Sequence, residues 1–261
     1  CAPQGKPKSG RAVSRSKSSG STSTLQLLAH NDININQNIT SPNNTLNLVL
    51  NANQDGSGGG QVNIANNVTL DTAGGTINAS AETVNIGTAT IIAPLFSAGT
   101  LNLSPGTLTL TGDVNVSGAL NWSGGIMTGA GKTLVSGPLA ITASIGLDAG
   151  RVLDVQGGAN WISGNIDLNP TAAVGSGVIL NAAGSIFTTD VDGAILTRDF
   201  GPSDDGRSAR FDNLGTFRKT GGGASGTTIG TAFNNTGSVD VRAGILSLQQ
   251  DGTHAGGFSV A

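Results

Sequence analysis

Short segments of the sequence recur at roughly constant intervals, and this repetition restricts the fold more than any other feature. The segment NWSGGI at 121–126 returns as NWISGNI at 160–166, which places Trp122 and Trp161 39 residues apart. The segment FDNLGTF at 211–217 returns as FNNTGSV at 233–239, which places Phe211 and Phe233 22 residues apart. A repeat of roughly 20 residues, present once or twice in these intervals, is typical of solenoids.

Apolar and polar residues alternate in short runs from Leu25 to the end of the sequence. In HNDININQNIT at 30–40, Ile33, Ile35 and Ile39 alternate with Asn and Thr, which predicts strands with one buried face. No segment has the spacing of an amphipathic helix. The predicted strands are Leu25–Ala29, Asp32–Thr40, Thr45–Ala52, Gln61–Ile64, Gly75–Ala79, Thr83–Ile86, Thr100–Leu103, Thr107–Leu110, Val114–Ser117, Leu139–Ala143, Arg151–Val155, Asn165–Leu168, Gly177–Asn181, Ser185–Thr188, Thr216–Lys219, Ser238–Val241 and Ile245–Leu248.

The composition supports an all-β fold. The 261 residues include 41 Gly, and 11% of them are charged, against a usual share of about 25%. Short strands, tight turns and the repeat together predict a parallel β-helix of roughly 20-residue coils, stacked about 4.8 Å apart. An antiparallel sandwich is the alternative, but it does not explain the Trp and Phe repeats.

The many Asn residues have a structural interpretation in such a fold. Equivalent positions of successive coils lie above one another, so amide side chains can form hydrogen-bonded ladders along the rod. Asn also tolerates the left-handed backbone of tight corners. We therefore expect stacked columns of Asn.

The first 24 residues differ from the rest. They contain five basic residues and no acidic one, and they are predicted to be a disordered basic tail or linker, with the rod at 25–261. Cys1 is either a lipidated N-terminus or the start of a fragment. No Lys or Arg occurs from Leu25 to Gly131, so nucleic-acid binding by the rod is not expected. No apolar run is long enough for a membrane-spanning helix.

Two blocks of the sequence resemble a known family. Residues 25–80 resemble the repeats of filamentous-haemagglutinin-type bacterial exoproteins, and residues 211–261 resemble the later repeats of large exoproteins of that kind. The resemblance implies a right-handed parallel β-helix, export by two-partner secretion through an outer-membrane transporter, and a role in adhesion at the cell surface.

The segment 188–210 is the most charged part of the rod and is predicted to be a loop insertion. It contains Asp190, Asp192, Asp199, Asp204 and Asp205 together with Arg198, Arg207 and Arg210. The run DVDG at 190–193 resembles the start of a calcium loop, but no further acidic ligands follow. Paired carboxylates could serve glycoside hydrolysis, or the charges could simply pair with one another in a solvated loop.

Three other motifs favour structural interpretations. TGAGKT at 128–133 would be a phosphate-binding loop only with Gly at 126, where Ile126 stands, so we expect a Gly-rich corner. Trp122 and Trp161 are expected inside the coils, two coils apart, rather than as exposed carbohydrate platforms. His30 and His254, the only histidines, lie far apart in the sequence. No catalytic, cofactor-binding or metal-binding residue is assigned.

The function expected from the sequence is that of a structural and adhesive β-helical segment of a secreted bacterial surface exoprotein, without catalysis. The expected partners are the outer-membrane transporter and a receptor or glycan on a host or neighbouring cell. A carbohydrate-active β-helix enzyme, either a lyase or a hydrolase, and a segment of a phage or appendage fibre are the alternatives.

Overall fold

A computed structural model describes the backbone of residues 11–15 and the whole of residues 22–56 and 59–261. The described residues form β-strands, turns and irregular segments, and none of them is helical. They therefore include no helix that could cross a membrane. The strands form three sheets that are parallel apart from one terminal pair, and these sheets enclose a single apolar core. The predicted parallel β-helix is confirmed, with about 11 turns of roughly 21 residues.

Each turn contributes one strand to each sheet. Sheet I consists of β1 (Arg11–Arg15), β2 (Ser23–Leu28), β5 (Leu46–Asn51), β8 (Ile77–Ser80), β11 (Leu95–Ala98), β14 (Asp113–Val116), β17 (Lys132–Val135), β20 (Val152–Val155), β23 (Val178–Asn181), β26 (Arg210–Asn213) and β29 (Ala232–Asn235). Sheet II consists of β3 (Ile33–Ile35), β6 (Gln61–Ile64), β9 (Thr83–Ile86), β12 (Leu101–Leu103), β15 (Leu120–Trp122), β18 (Leu139–Ile141), β21 (Ala159–Trp161), β24 (Ile186–Thr189), β27 (Thr216–Lys219), β30 (Ser238–Val241) and β32 (Gly257–Val260). Sheet III consists of β4 (Ile39–Thr40), β7 (Val68–Asp71), β10 (Ala89–Ile92), β13 (Thr107–Leu110), β16 (Gly125–Thr128), β19 (Ile145–Leu147), β22 (Ile166–Asp167), β25 (Ala194–Leu196), β28 (Thr227–Ile229) and β31 (Leu246–Leu248).

Strand β1 lies inside the segment predicted to be a disordered tail. It pairs antiparallel with β2 and so covers the outer edge of the first turn. Without β1, the free edge of β2 would expose unpaired backbone N–H and C=O groups. Pairing with β1 satisfies these groups. Residues 1–10 and 16–21, for which the sequence predicts disorder, lie outside the described part of the chain.

The predicted strand Asp32–Thr40 is divided into β3 and β4. The chain passes from sheet II to sheet III between Ile35 and Ile39, so the alternation of HNDININQNIT continues around a corner. Ile33 and Ile35 are buried, as the alternation requires. A short turn that keeps the same alternation as its flanking strands leaves no signal of a corner.

Both aromatic repeats mark equivalent positions in different coils. Trp122 and Trp161 each align with Ile141 in the intervening turn, so they lie two coils apart, and both are buried. Each indole Nε1 donates to a glycine carbonyl 3.0 Å away. Phe211 and Phe233 occupy adjacent coils of sheet I, with ring centroids 5.5 Å apart. The predicted interior placement of both tryptophans is confirmed.

Asparagines form two ladders, as expected. On the outer face of sheet II, each Nδ2 donates to the Oδ1 of the previous turn over 2.7–2.9 Å. This surface ladder consists of Asn34, Asn63, Asn85, Asn102 and Asn121. A second ladder of Asn181, Asn213 and Asn235 is fully buried, and its amides also donate to backbone carbonyls of the adjoining corner.

TGAGKT forms the predicted corner, between β16 and β17. Gly129 has a φ of +95°, and a Cβ there would lie 1.9 Å from the carbonyl oxygen of Leu110. Only glycine therefore fits this close approach of two coils. The lysine of the motif extends outward, where Lys132 Nζ lies 3.0 Å from Asp154 Oδ2.

Candidate functional site

Two successive turns carry long connections at the same corner of the rod, between sheet III and sheet I. The first connection spans 168–177, and the second spans 197–209. We call these two segments the corner loops. They hold each other, because Asn169 Nδ2 donates to the Arg198 carbonyl over 2.9 Å and the Ser208 and Ser176 hydroxyls lie 3.1 Å apart. The corner loops are the largest departure from the regular coil in the described chain.

The charged segment predicted at 188–210 does not form one loop. Strand β25 divides it, so that Asp190 and Asp192 lie at the corner between sheets II and III, whereas 197–209 lies at the next corner. Asp199, Asp204, Asp205, Arg198 and Arg207 belong to the second corner loop, and Arg210 begins β26. The acidic and basic residues thus form several small groups.

Asp190 and Asp192 lie near a buried lysine. The Lys219 side chain is fully buried, and its Nζ donates to the carbonyls of Gly221 and Val191. Burial lowers the pKa of Lys219, while the negative charges of Asp192 and Asp190 oppose that shift. The lysine ammonium therefore supplies the positive charge at the corner that contains DVDG, the segment that resembles the start of a calcium loop. Among the described residues, no group of three or more His, Cys, Asp or Glu is placed to hold a metal ion.

Asp148 anchors the first corner loop. Its side chain is fully buried and accepts hydrogen bonds from the Ala149 N–H over 2.9 Å, from the Thr171 N–H over 3.1 Å and from the Thr171 hydroxyl. Burial raises the pKa of the Asp148 carboxyl above its ordinary value, the three hydrogen bonds oppose the rise, and the charge of Asp204 adds to it. The carboxylate is enclosed, so its place is that of a loop anchor rather than a group that meets a ligand.

A groove runs beside the corner loops on the outer face of sheet III. Its volume is about 240 Å³, and its lining includes Ile126, Pro170, Asn165, Asp167 and Arg198. Pockets for drug-sized ligands are usually about 300–1,000 Å³, so this groove suits one sugar ring or one side chain of a larger ligand. Ile126 and Pro170 supply apolar surface, and the other three side chains supply hydrogen-bonding groups.

The ion pair between Asp167 and Arg198 gives the groove its polarity. Arg198 Nε donates to Asp167 Oδ2, while the Asn169 N–H donates to Asp167 Oδ1 over 3.0 Å. Asp167 is nearly buried, whereas 60% of the Arg198 side chain is exposed. Asp167 therefore fixes the guanidinium at the edge of the groove, and the remaining N–H groups of Arg198 face outward as donors.

The other candidate residues take part in packing or lie apart. Arg151 is fully buried at the corner between sheets III and I, and it donates to the carbonyls of Gly112, Gly129 and Ala130 and to the Thr133 hydroxyl. His30 Nδ1 lies 3.0 Å from Asp55 Oδ2 in the first turn. His254 packs against Phe233 and Phe258 near the last strand. The two histidines lie at opposite ends of the rod.

Comparison with known proteins adds no relative: no family model, no curated protein and no solved structure matches the chain. The resemblance to filamentous-haemagglutinin-type repeats stays a prediction.

Proposed function

We propose that this chain is a structural and adhesive segment of a secreted bacterial cell-surface exoprotein, and that it binds its ligand at the groove beside the corner loops. The observation that carries the proposal is a regular rod interrupted at one corner by two mutually hydrogen-bonded loops. Loops on a rigid scaffold are where binding residues concentrate. About 11 turns at a spacing of about 4.8 Å give a rod roughly 50 Å long.

The groove fits a neutral or weakly polar group presented on a surface, such as a sugar of a glycan. Arg198 supplies donors and Asn165 supplies an amide, while Ile126 and Pro170 supply apolar contacts. A site of this size contributes a modest affinity by itself. A surface protein compensates for that through many copies, because multivalent attachment raises avidity without new contacts.

The fold also suits export through an outer-membrane transporter. In a solenoid each coil packs mainly against its neighbours, so folding can start at one end and propagate. The sequence has one cysteine, Cys1, so no disulfide within the chain is needed to complete a coil. A chain of this kind can emerge unfolded and fold coil by coil outside the cell.

The proposal is tested by retention of the purified chain on bacterial cells, host cells and a panel of immobilised glycans. We expect retention on at least one surface, with the polysaccharide left intact. Release of shortened polysaccharide by the wild-type chain, lost in Asp205→Ala, would instead assign it as a carbohydrate-active enzyme. The matched control for that outcome is Asp199→Ala, in the same corner loop.

A further inference from the structure

The outer face of sheet III carries two rows of threonines on β7, β10, β13 and β16. Thr69, Thr90, Thr109 and Thr128 align from strand to strand and form the first row. The second row lies two residues earlier. Thr107 and Ile126 belong to β13 and β16, Thr88 immediately precedes β10, and Asn67, with a φ of +65°, immediately precedes β7. We call these eight residues the threonine strip. Its first row is four strands long, and its second row adds the hydroxyls of Thr88 and Thr107.

The hydroxyls of the first row are open to solvent and unpaired. Within the described residues, Thr69, Thr90, Thr109 and Thr128 make no side-chain hydrogen bond, and each side chain is half-exposed. The surface ladder on sheet II behaves differently in the same turns, because its amides bond one another, as Asn85 Nδ2 does with Asn63 Oδ1 over 2.7 Å. The first row therefore keeps its hydrogen-bonding capacity for something outside the chain, whereas in the second row Thr88 Oγ1 accepts a hydrogen bond from the Thr107 N–H over 3.4 Å.

The backbone fixes the spacing of these hydroxyls. Neighbouring strands hold the members of a row about 4.8 Å apart, and the two rows lie about 6.6 Å apart along each strand, at about 3.3 Å per residue. Thr is β-branched and therefore stiff at χ1, so little side-chain entropy is lost when the array is used. Each hydroxyl stands beside its own methyl group. The result is a flat lattice of alternating hydroxyl and methyl groups.

The composition of the strip argues against the usual macromolecular partners. It contains no charged and no aromatic residue. Two acidic residues adjoin its ends: Asp71, two residues after Thr69 on β7, and the buried Asp148, which lies beside Thr128. Protein interfaces rely on Trp, Tyr and Arg, and Thr is under-represented among their critical residues. Small-molecule and sugar pockets are concave and lined by apolar and aromatic groups, which a flat hydroxyl array does not offer.

A flat array of hydroxyls complements a ligand that is itself a flat, repeating array of hydrogen-bonding oxygens. The surface of an ice crystal is such a ligand, since its oxygens repeat in two directions over distances of the same order as the two spacings of the strip. We propose that the threonine strip binds ice. The hydroxyls hold a layer of water in rows, the methyl groups sit in the gaps between those rows, and the ordered layer joins the crystal.

The inference is tested with the full chain fused to a fluorescent protein in a slowly growing ice hemisphere, together with ice recrystallisation. The disruptive variant is Thr109→Tyr, which places a large ring in the middle of the strip. The matched control is Asn115→Tyr on β14, the next strand in the chain, which is exposed on the outer face of sheet I. Circular dichroism establishes that each variant folds. A second strip variant, Thr90→Val with Thr109→Val, removes two hydroxyls with almost no change of shape.

We expect the wild-type chain and Asn115→Tyr to enter the ice and to slow recrystallisation equally. Thr109→Tyr is expected to fall to the level of the free fluorescent protein. Exclusion of the wild-type chain from ice overturns the inference, as does an equal loss in Asn115→Tyr. Retention on a neutral polysaccharide that Thr109→Tyr abolishes, without entry into ice, assigns the strip to a glycan instead. Ile126 borders both the strip and the groove, but neither Thr90 nor Thr109 lines the groove. Failure of the ice assay is therefore distinguishable from failure of ligand binding at the groove.

Discussion

Replacing Asn213 by alanine tests whether buried amide ladders stabilise the rod. The Asn213 side chain is fully buried and donates to Asn235 Oδ1 over 2.8 Å and to the Ser238 carbonyl over 2.9 Å. Its Oδ1 accepts from Asn181 Nδ2 over 2.7 Å. Asn213→Ala removes all three hydrogen bonds and leaves Asn235 Oδ1 buried without its donor from the ladder.

The cost follows from burial. Each hydrogen bond contributes about 1 kcal/mol net, and a buried polar atom left unsatisfied costs about 1–3 kcal/mol, so the free energy of unfolding should fall by about 3–5 kcal/mol. The matched control is Asn102→Ala in the surface ladder, which also removes bonds to the amides above and below, at Asn85 and Asn121. Water can replace those bonds at a half-exposed site, so we expect a loss below about 1 kcal/mol.

The assay is urea denaturation followed both by tryptophan fluorescence and by circular dichroism. Coincident transitions justify a two-state free energy, which a long repeat array does not guarantee. The slope with urea should stay unchanged, because the variants alter stability rather than compactness. Equal losses in Asn213→Ala and Asn102→Ala would refute the reasoning, since burial would then not decide the value of an amide ladder.

Two further predictions concern buried charges. Arg151→Met should lower the free energy of unfolding, measured by urea denaturation, by at least about 3 kcal/mol, because the carbonyls of Gly112, Gly129 and Ala130 lose their donor. The control is Arg207→Met, at an exposed side chain. A similar loss of stability in the control contradicts the prediction. For Asp148, burial raises the pKa of the carboxyl in the folded state above its ordinary value of 3.8. The folded state therefore binds the proton more tightly, and stability is lost as pH rises from 3.8 through the folded-state pKa. Relative to Asp148→Asn, the wild-type chain should therefore become less stable across that window in urea titrations at successive pH values, and a difference that is constant with pH contradicts the assignment.

The fold could be predicted from the sequence because the strands that alternate apolar and polar residues also recur once in each coil. Gln61–Ile64, Thr83–Ile86 and Thr107–Leu110 were predicted with the bounds that the structure has. In each of them, residues with buried side chains alternate with outward polar ones, and a turn or bend follows within two residues. Such strands carry both signals that define a coil.

Strand β29, which the sequence did not predict, lacks one of these signals. In β29, Ala232–Asn235, the buried positions are Phe233 and Asn235, so a polar residue stands where the pattern requires an apolar one. Asn235 is tolerated inside because the ladder and the corner carbonyls satisfy its amide. Hydrogen bonds between coils decide this placement, and a local sequence pattern does not contain them.

The groove could be predicted only in part. The charged segment identified Arg198 but not Asp167, its partner 31 residues earlier. The two meet because their strands are adjacent, and adjacency depends on coil length. That length varies widely: the paired asparagines Asn85 and Asn102 are 17 residues apart, whereas Asn181 and Asn213 are 32 apart. The signal available for Asp167 is its place between Ile166 and Leu168, both buried, in the predicted strand Asn165–Leu168.

The central claim is that the groove beside the corner loops attaches the rod to a surface. The most direct measurement is the affinity of the Arg198→Ala variant for the surface that retains the wild-type chain. The control is Arg207→Ala, because Arg207 is exposed in the same loop but does not line the groove. A hydrogen bond to a charged group is worth about 1.5–3 kcal/mol, so we predict that Arg198→Ala binds at least about tenfold more weakly and that Arg207→Ala binds as the wild type does. Unchanged retention of a folded Arg198→Ala chain would contradict the claim.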